Sequence, residues 1–92
     1  MAENTFDVII IGGGRVGTLL SRELIALGHE VLVIERSLDQ CEVVKDELGS
    51  VVMAGDGCEV STLARAGLER ADVFIAVTEG DEDNLVACQV AR

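Results

Sequence analysis

Val8-Ile9-Ile10-Ile11-Gly12-Gly13-Gly14-Arg15-Val16-Gly17 is the stretch that decides the fold: an apolar run breaks into Gly-x-Gly-x-x-Gly and resumes with helical periodicity. A strand, a tight turn and a helix in that order make a nucleotide-binding turn. Gly12 allows the turn, Gly14 lets phosphates approach the backbone, and Gly17 lets the helix pack close to the strand. The free N–H groups and the positive dipole end of that helix attract an anion. Taken alone, the glycines would serve close packing equally well. Glu35 adds context, because it closes the second apolar run, Val31-Leu32-Val33-Ile34, eighteen residues beyond Gly17. A carboxylate at that place accepts both hydroxyls of a ribose.

Working outward, an apolar β-branched run followed by a helix of period near 3.6 recurs along the chain, with no linker between units. Strands are expected at 6–11, 30–34, 51–54 and 73–77. The first helix is expected over 15–27, with Val16, Leu19, Leu20, Leu24 and Leu27 on one stripe and Gly28 as its stop. The second starts at Ser37, where Ser37-x-x-Gln40 reads as a capping box, and ends before Gly49. The third spans 59–66 and stops at Gly67. A fourth opens in Asp81-Glu82-Asp83 and runs to residue 92, acids at a helix start being dipole partners before they are a cation site.

Near-continuous apolar strands joined by helices imply an α/β fold, a Rossmann-like parallel sheet with helices on both faces. If strand 2 lies beside strand 1 and strand 3 beyond it, right-handed crossovers put helices 1 and 2 on one face and helices 3 and 4 on the other, giving the order 3-2-1-4 with the ligand crevice at the carboxyl ends of strands 1 and 4. Residues 1–92 read as one nucleotide-binding domain. Gly28, Gly49 and Gly67 fall at the opposite end of the sheet, whereas Gly12, Gly13, Gly14, Gly17, Gly55, Gly57 and Gly80 crowd the crevice end.

Ninety-two residues give one domain with a modest core, too small for a complete two-substrate enzyme. No apolar run exceeds five residues, so no membrane span is expected. A net charge of −10 disfavours nucleic acid and otherwise keeps the surface solvated. The first five residues carry neither a basic nor an apolar leader segment, which points to the cytosol. Cys41, Cys58 and Cys88 are odd in number and widely spaced, suiting reduced thiols rather than disulfides or a zinc site.

The candidate binding set is Gly12, Gly13, Gly14, Arg15, Val16, Gly17, Glu35, Arg36, Asp56, Gly57, Cys58 and Thr78. Arg15 sits in the glycine turn, where a guanidinium neutralises phosphates held by backbone amides, unless it is only a solvated surface residue. Arg36 raises the question of a 2′-phosphate, but Glu35 would repel it, so NADP is not expected. Asp56 in Gly55-Asp56-Gly57 either caps the third helix or flanks a bound adenosine, and one residue can do both. Cys58 lies at that helix start, with Asp56 and Glu59 opposing a thiolate. Thr78 after strand 4 either reaches a phosphate or ribose or caps a turn. His29 belongs to the connection at the far end of the sheet and reads as a surface turn residue, not a base.

These segments, with Gly28-His29-Glu30-Val31, Val33-Ile34-Glu35, Ala66-Gly67, Ala71-Asp72, Val77-Thr78 and Asp81-Glu82-x-Asn84, closely resemble the TrkA-type N-terminal domain, also called the RCK or regulator-of-potassium-conductance domain. The resemblance spans nearly the whole chain. It implies a cytosolic regulatory domain, not an enzyme, that binds NAD(H) or ATP/ADP and passes the bound state to a membrane-embedded potassium transporter or channel subunit. It further implies a homo-oligomer, peripheral to the inner face of the membrane through that partner. By the same resemblance Gly12, Gly14, Arg15 and Gly17 hold phosphates, Glu35 the ribose, and Asp56 and Thr78 flank the nucleotide. Position 57 is glycine where the family has a small side chain, a departure expected to loosen that loop. Family domains also continue through two further strands and helices, so the chain reads as a fragment ending in its fourth helix, with strand 4 an open edge. The competing class is the dinucleotide-binding domain of an NAD-dependent oxidoreductase whose catalytic part is absent. Against it, the crevice has no His, Lys or Tyr near it.

Overall fold

The computed structural model describes residues 5–57 and 59–78. Its elements are β1 (Asp7–Ile11), α1 (Arg15–Ala26), β2 (Glu30–Glu35), α2 (Leu38–Leu48), β3 (Val52–Ala54), α3 (Val60–Ala66) and β4 (Val73–Ala76), with a 3-10 turn at Leu68–Arg70. All three strand pairings are parallel and the order is β3-β2-β1-β4, as expected. The expected fourth helix, Gly80 and Cys58 lie outside the described residues.

Alternation along β1 builds the core on both faces. Val8 and Ile10 join Val31, Val33 and Val44, against which Leu20 and Leu24 of α1 and Leu48 of α2 pack. Ile9 and Ile11 join Ile34 and Leu63, with Met53, Ala66 and Phe74 around them. Helices α1 and α2 therefore share one face, and α3 covers the other. Ile10 and Leu63 are wholly buried, each contributing about 1.5–3 kcal/mol relative to exposure.

The apolar stripe expected on α1 is not its buried face. Val16, Leu19 and Leu27 are 62%, 51% and 67% exposed, while Gly17, Thr18 and Ser21 are buried. The helix lies so near β1 that small residues must occupy the contact line. Ser21 satisfies its buried hydroxyl by donating to the Gly17 carbonyl at 2.6 Å, and Leu20 and Leu24 pack beside this line. Polar character hid that arc from a periodicity count.

The helix ends follow their residues more closely. Gly28 adopts φ +94°, its N–H bonds the Ile25 carbonyl and that of His29 the Leu24 carbonyl, both at 3.0 Å, the paired bonds of a Schellman motif. Ser37 caps α2 by accepting from the Gln40 amide at 3.3 Å. The reciprocal half of the expected capping box does not form, because Ser37 N–H donates to Glu35 Oε2 at 2.7 Å. At α3 the N-cap position belongs to Glu59, whose side chain makes no capping bond, and not to Asp56.

Candidate functional site

The carboxyl ends of the strands bring the sequence-predicted residues to one rim: Gly55–Gly57 after β3, Glu35 ending β2, the turn Gly12–Gly14 after β1, and Thr78 beyond β4. Gly12 turns with φ +114°, and a Cβ there would stand 2.9 Å from the Val77 carbonyl oxygen. A Cβ on Gly17 would lie 1.9 Å from the Gly12 carbonyl oxygen, so the first turn of α1 sits directly on the loop. Gly13 is buried against Val44 and Glu35. Gly12 and Gly17 are thus required by the backbone around them, and Gly13 is tightly packed.

Gly14 is different. Its φ of −75° suits any residue, and a Cβ added there meets nothing within 4 Å among the described residues. It is the N-cap of α1 and has no side chain to cap the first-turn amides of Arg15, Val16 and Gly17, and that turn carries no acid. Arg15 and Val16 beside it are exposed. The result is a helix mouth with open backbone donors, a positive dipole end and one guanidinium.

Glu35 fixes the neighbouring wall. Its Oε1 accepts from Gly13 N–H at 2.8 Å and its Oε2 from Ser37 N–H at 2.7 Å, while its carbonyl accepts from Gly55 N–H at 3.0 Å. The carboxylate is half-buried, and its remaining lone pairs are those a diol would use. Arg36 next to it is exposed. Cys41 packs beneath, its thiol donating to the Glu35 carbonyl at 3.4 Å. Burial first, then the charges of Glu35 and Glu42, push that thiol's pKa up, so it stays protonated as this bond requires.

Gly57 corrects an expectation. A Cβ there would come 2.4 Å from Cγ2 of buried Ile11, so the glycine is demanded by the loop crossing over the end of β1 and does not loosen it. Asp56 and Thr78 are half-buried on either side of the rim. Two residues escaped the sequence reading: Thr18, whose Oγ1 donates to the Gly13 carbonyl at 3.1 Å, and Gln40, whose Nε2 donates to the same carbonyl. Only Gln40's place in a capping motif marked it, and for a different bond.

The opposite end of the sheet is structural. His29 accepts the Phe6 N–H on Nδ1 at 3.0 Å and stacks on the Phe6 ring, and Asp72 accepts the Asp7 N–H at 2.8 Å. His29 is thus a half-buried fastening for the start of β1, more than a surface turn residue. A cavity of about 270 Å³ at this end, lined by Asp7, Glu30, Leu32, Gly67 and Arg70 among others, is remote from the helix mouth. Among the described residues no helix is long and apolar enough to cross a membrane, and no cluster of His, Cys, Asp or Glu could hold a metal ion.

Comparison with known proteins places this geometry. The family model of the TrkA-N domain matches residues 8–92. A Trk system potassium uptake protein TrkA homolog of Methanothermobacter thermautotrophicus is 44% identical over 85 residues, 92% of this chain and 39% of that protein. The Trk system potassium uptake protein TrkA of Azorhizobium caulinodans is 40% identical over 92% of this chain and 19% of its own length. The chain thus spans well under half of these relatives. Among solved structures, the NAD(P)-binding domain of an exopolyphosphatase-related protein from Archaeoglobus fulgidus superposes with a TM-score of 0.84 at 30% identity, covering 95% of this chain and 65% of that one. The TrkA-N domain of the inner membrane protein ybaL from Escherichia coli shares the fold, with a TM-score of 0.67 at 20% identity over 97% of this chain and 84% of its own.

Proposed function

The chain belongs to the TrkA-N domain family, and from that premise we propose that it is the nucleotide-sensing part of a potassium transport regulator. It binds NAD(H) or ATP/ADP at the carboxyl end of the sheet and passes occupancy to a membrane-embedded potassium transporter or channel subunit. It works as a homo-oligomer at the cytoplasmic face of the membrane, held there by its partner. The observation that carries the reading is Gly14: among the described residues neither backbone angle nor neighbouring atoms call for glycine there, and the missing side chain leaves room for a ligand at the helix mouth. A phosphate is the group that open first-turn amides and an adjacent guanidinium would hold.

In this reading the amides of the Gly12–Gly17 turn and Arg15 receive the phosphates, and Glu35 receives the ribose diol beside Arg36. Asp56, Gly57 and Cys58 line the β3 side and Thr78 the β4 side. The nucleotide supplies no chemistry; it supplies a difference in affinity between two arrangements of the protein. A coupling of about 1–3 kcal/mol suffices for regulation. The TrkA names of the relatives and the 30% identity to an NAD(P)-binding domain support a regulator that reads a nucleotide. Both Glu35 oxygens are already held by backbone amides, so the carboxylate is not free to swing away from a 2′-phosphate.

Calorimetry tests this. NADH is expected to bind about tenfold or more tightly than NADPH, the repulsion of a phosphate at contact distance from Glu35 being worth more than about 1.4 kcal/mol. Glu35→Ala should erase most of that preference. Equal or tighter binding of NADPH defeats the ribose assignment, and potassium flux indifferent to every nucleotide tested defeats the regulatory one.

A further inference from the structure

We propose that Gln40, a residue of α2 outside the glycine motif, is a positioning residue that aims the Gly14 amide at the phosphate. The inference rests on the nucleotide reading above and adds a residue to it. The Gly13 carbonyl and the Gly14 N–H belong to one planar trans peptide, so they point in opposite directions. Whatever holds the carbonyl inward turns the N–H outward. Two side chains hold it: Thr18 Oγ1 at 3.1 Å from within α1, and Gln40 Nε2 from α2.

Gln40 is available for this because of an exchange of partners at the start of α2. A capping box would return its side chain to the Ser37 N–H. Glu35 Oε2 takes that N–H at 2.7 Å, and the Gln40 amide group reaches across to Gly13 instead. Glu35 Oε1 meanwhile holds the Gly13 N–H at 2.8 Å. Successive peptides of the turn are therefore fixed from β2 and α2, with Gly13 buried between them and Gln40 half-buried. Glycine has no side chain to hold its own peptide plane, so the orientation that a phosphate needs is supplied from outside the turn.

The test compares Gln40→Met, which keeps length but removes the donor, with Gln40→Lys, which keeps a donor of similar reach. The probes are NADH, ADP and adenosine, measured by calorimetry, with exchange of the bonded, buried Gly13 amide followed in the absence of ligand. Loss of one such hydrogen bond should weaken NADH and ADP about five- to tenfold in Gln40→Met and leave adenosine within about twofold. Gln40→Lys should recover most of the loss, and exchange at Gly13 should quicken in Gln40→Met while the β1 amides stay protected. Unchanged ADP affinity in a folded Gln40→Met protein overturns the proposal, as does an equal loss for ADP and adenosine, or unaltered exchange at Gly13. If the unsubstituted protein binds none of the three probes, the nucleotide reading itself falls, and the exchange experiment still decides whether Gln40 orients the turn.

Discussion

The two ends of the parallel sheet use glycine for different physical reasons, and the difference separates structure from function. At the amino end, Gly28 and Gly49 have φ of +94° and +89°, yet a Cβ on either meets nothing closer than 3.9 Å. There the backbone angle requires glycine and space does not. At the carboxyl end, Gly17 and Gly57 have no positive φ, but a Cβ would come 1.9 and 2.4 Å from its nearest neighbour. At these two positions space requires glycine and the angle does not, whereas Gly12 at the same end, with φ +114°, is held by both. Among the described residues Gly14 satisfies neither condition, and it stands at the uncapped mouth of α1.

Substitution should rank these classes. The largest effect is expected at Gly17→Ala, where the methyl group meets a backbone carbonyl that cannot rotate aside. Overpacking of that severity should cost about 3 kcal/mol or more, read as a fall in the urea midpoint. A loss below about 1 kcal/mol there would break the claim that space governs the carboxyl end. Gly28→Ala should cost about 1–2 kcal/mol, the penalty of a Cβ in the left-handed region, with no effect on ligand affinity. The smallest stability change belongs to Gly14→Val, within about 1 kcal/mol, because a helix N-cap tolerates the loss of glycine at modest cost. Its circular dichroism should match that of the parent while calorimetry shows nucleotide binding abolished. Retained affinity in that folded variant would return Gly14 to the packing class and remove the main support for a phosphate site.

Much of this architecture was legible in the sequence because it is written in local chemistry. Four apolar runs, their helical spacers and crossover handedness gave the strand order, Gly28 marked the end of α1, and Ser37 its cap on α2. The glycine turn and Glu35 also fell where the spacing put them. What escaped depends on contacts between distant segments. Thr18 and Ser21 are polar, yet they form the inner face of α1 because only small residues fit against β1. Gln40 satisfied a local motif on paper, but Glu35 took the partner that motif needed. The crowding of Gly57 against Ile11 arises only once the loop after β3 has crossed the sheet, which no window of adjacent residues contains.

The central position of β1 also sets an order of assembly. Its pairing with β2 joins Asp7 to Glu30, a separation of 23 residues, whereas its pairing with β4 joins Val8 to Val73, a separation of 65. Closing the longer loop costs roughly 0.9 kcal/mol more in chain entropy. The turn, its Glu35 fastening and the Gln40 brace all lie within the first forty residues and share the shorter closure. The β4 wall, with Val77 set against Gly12, joins at the greater entropic cost. The half of the crevice proposed to receive phosphate is thus closed by near neighbours in the chain, and the half across the switch point, where Thr78 stands, is closed only across the longer span.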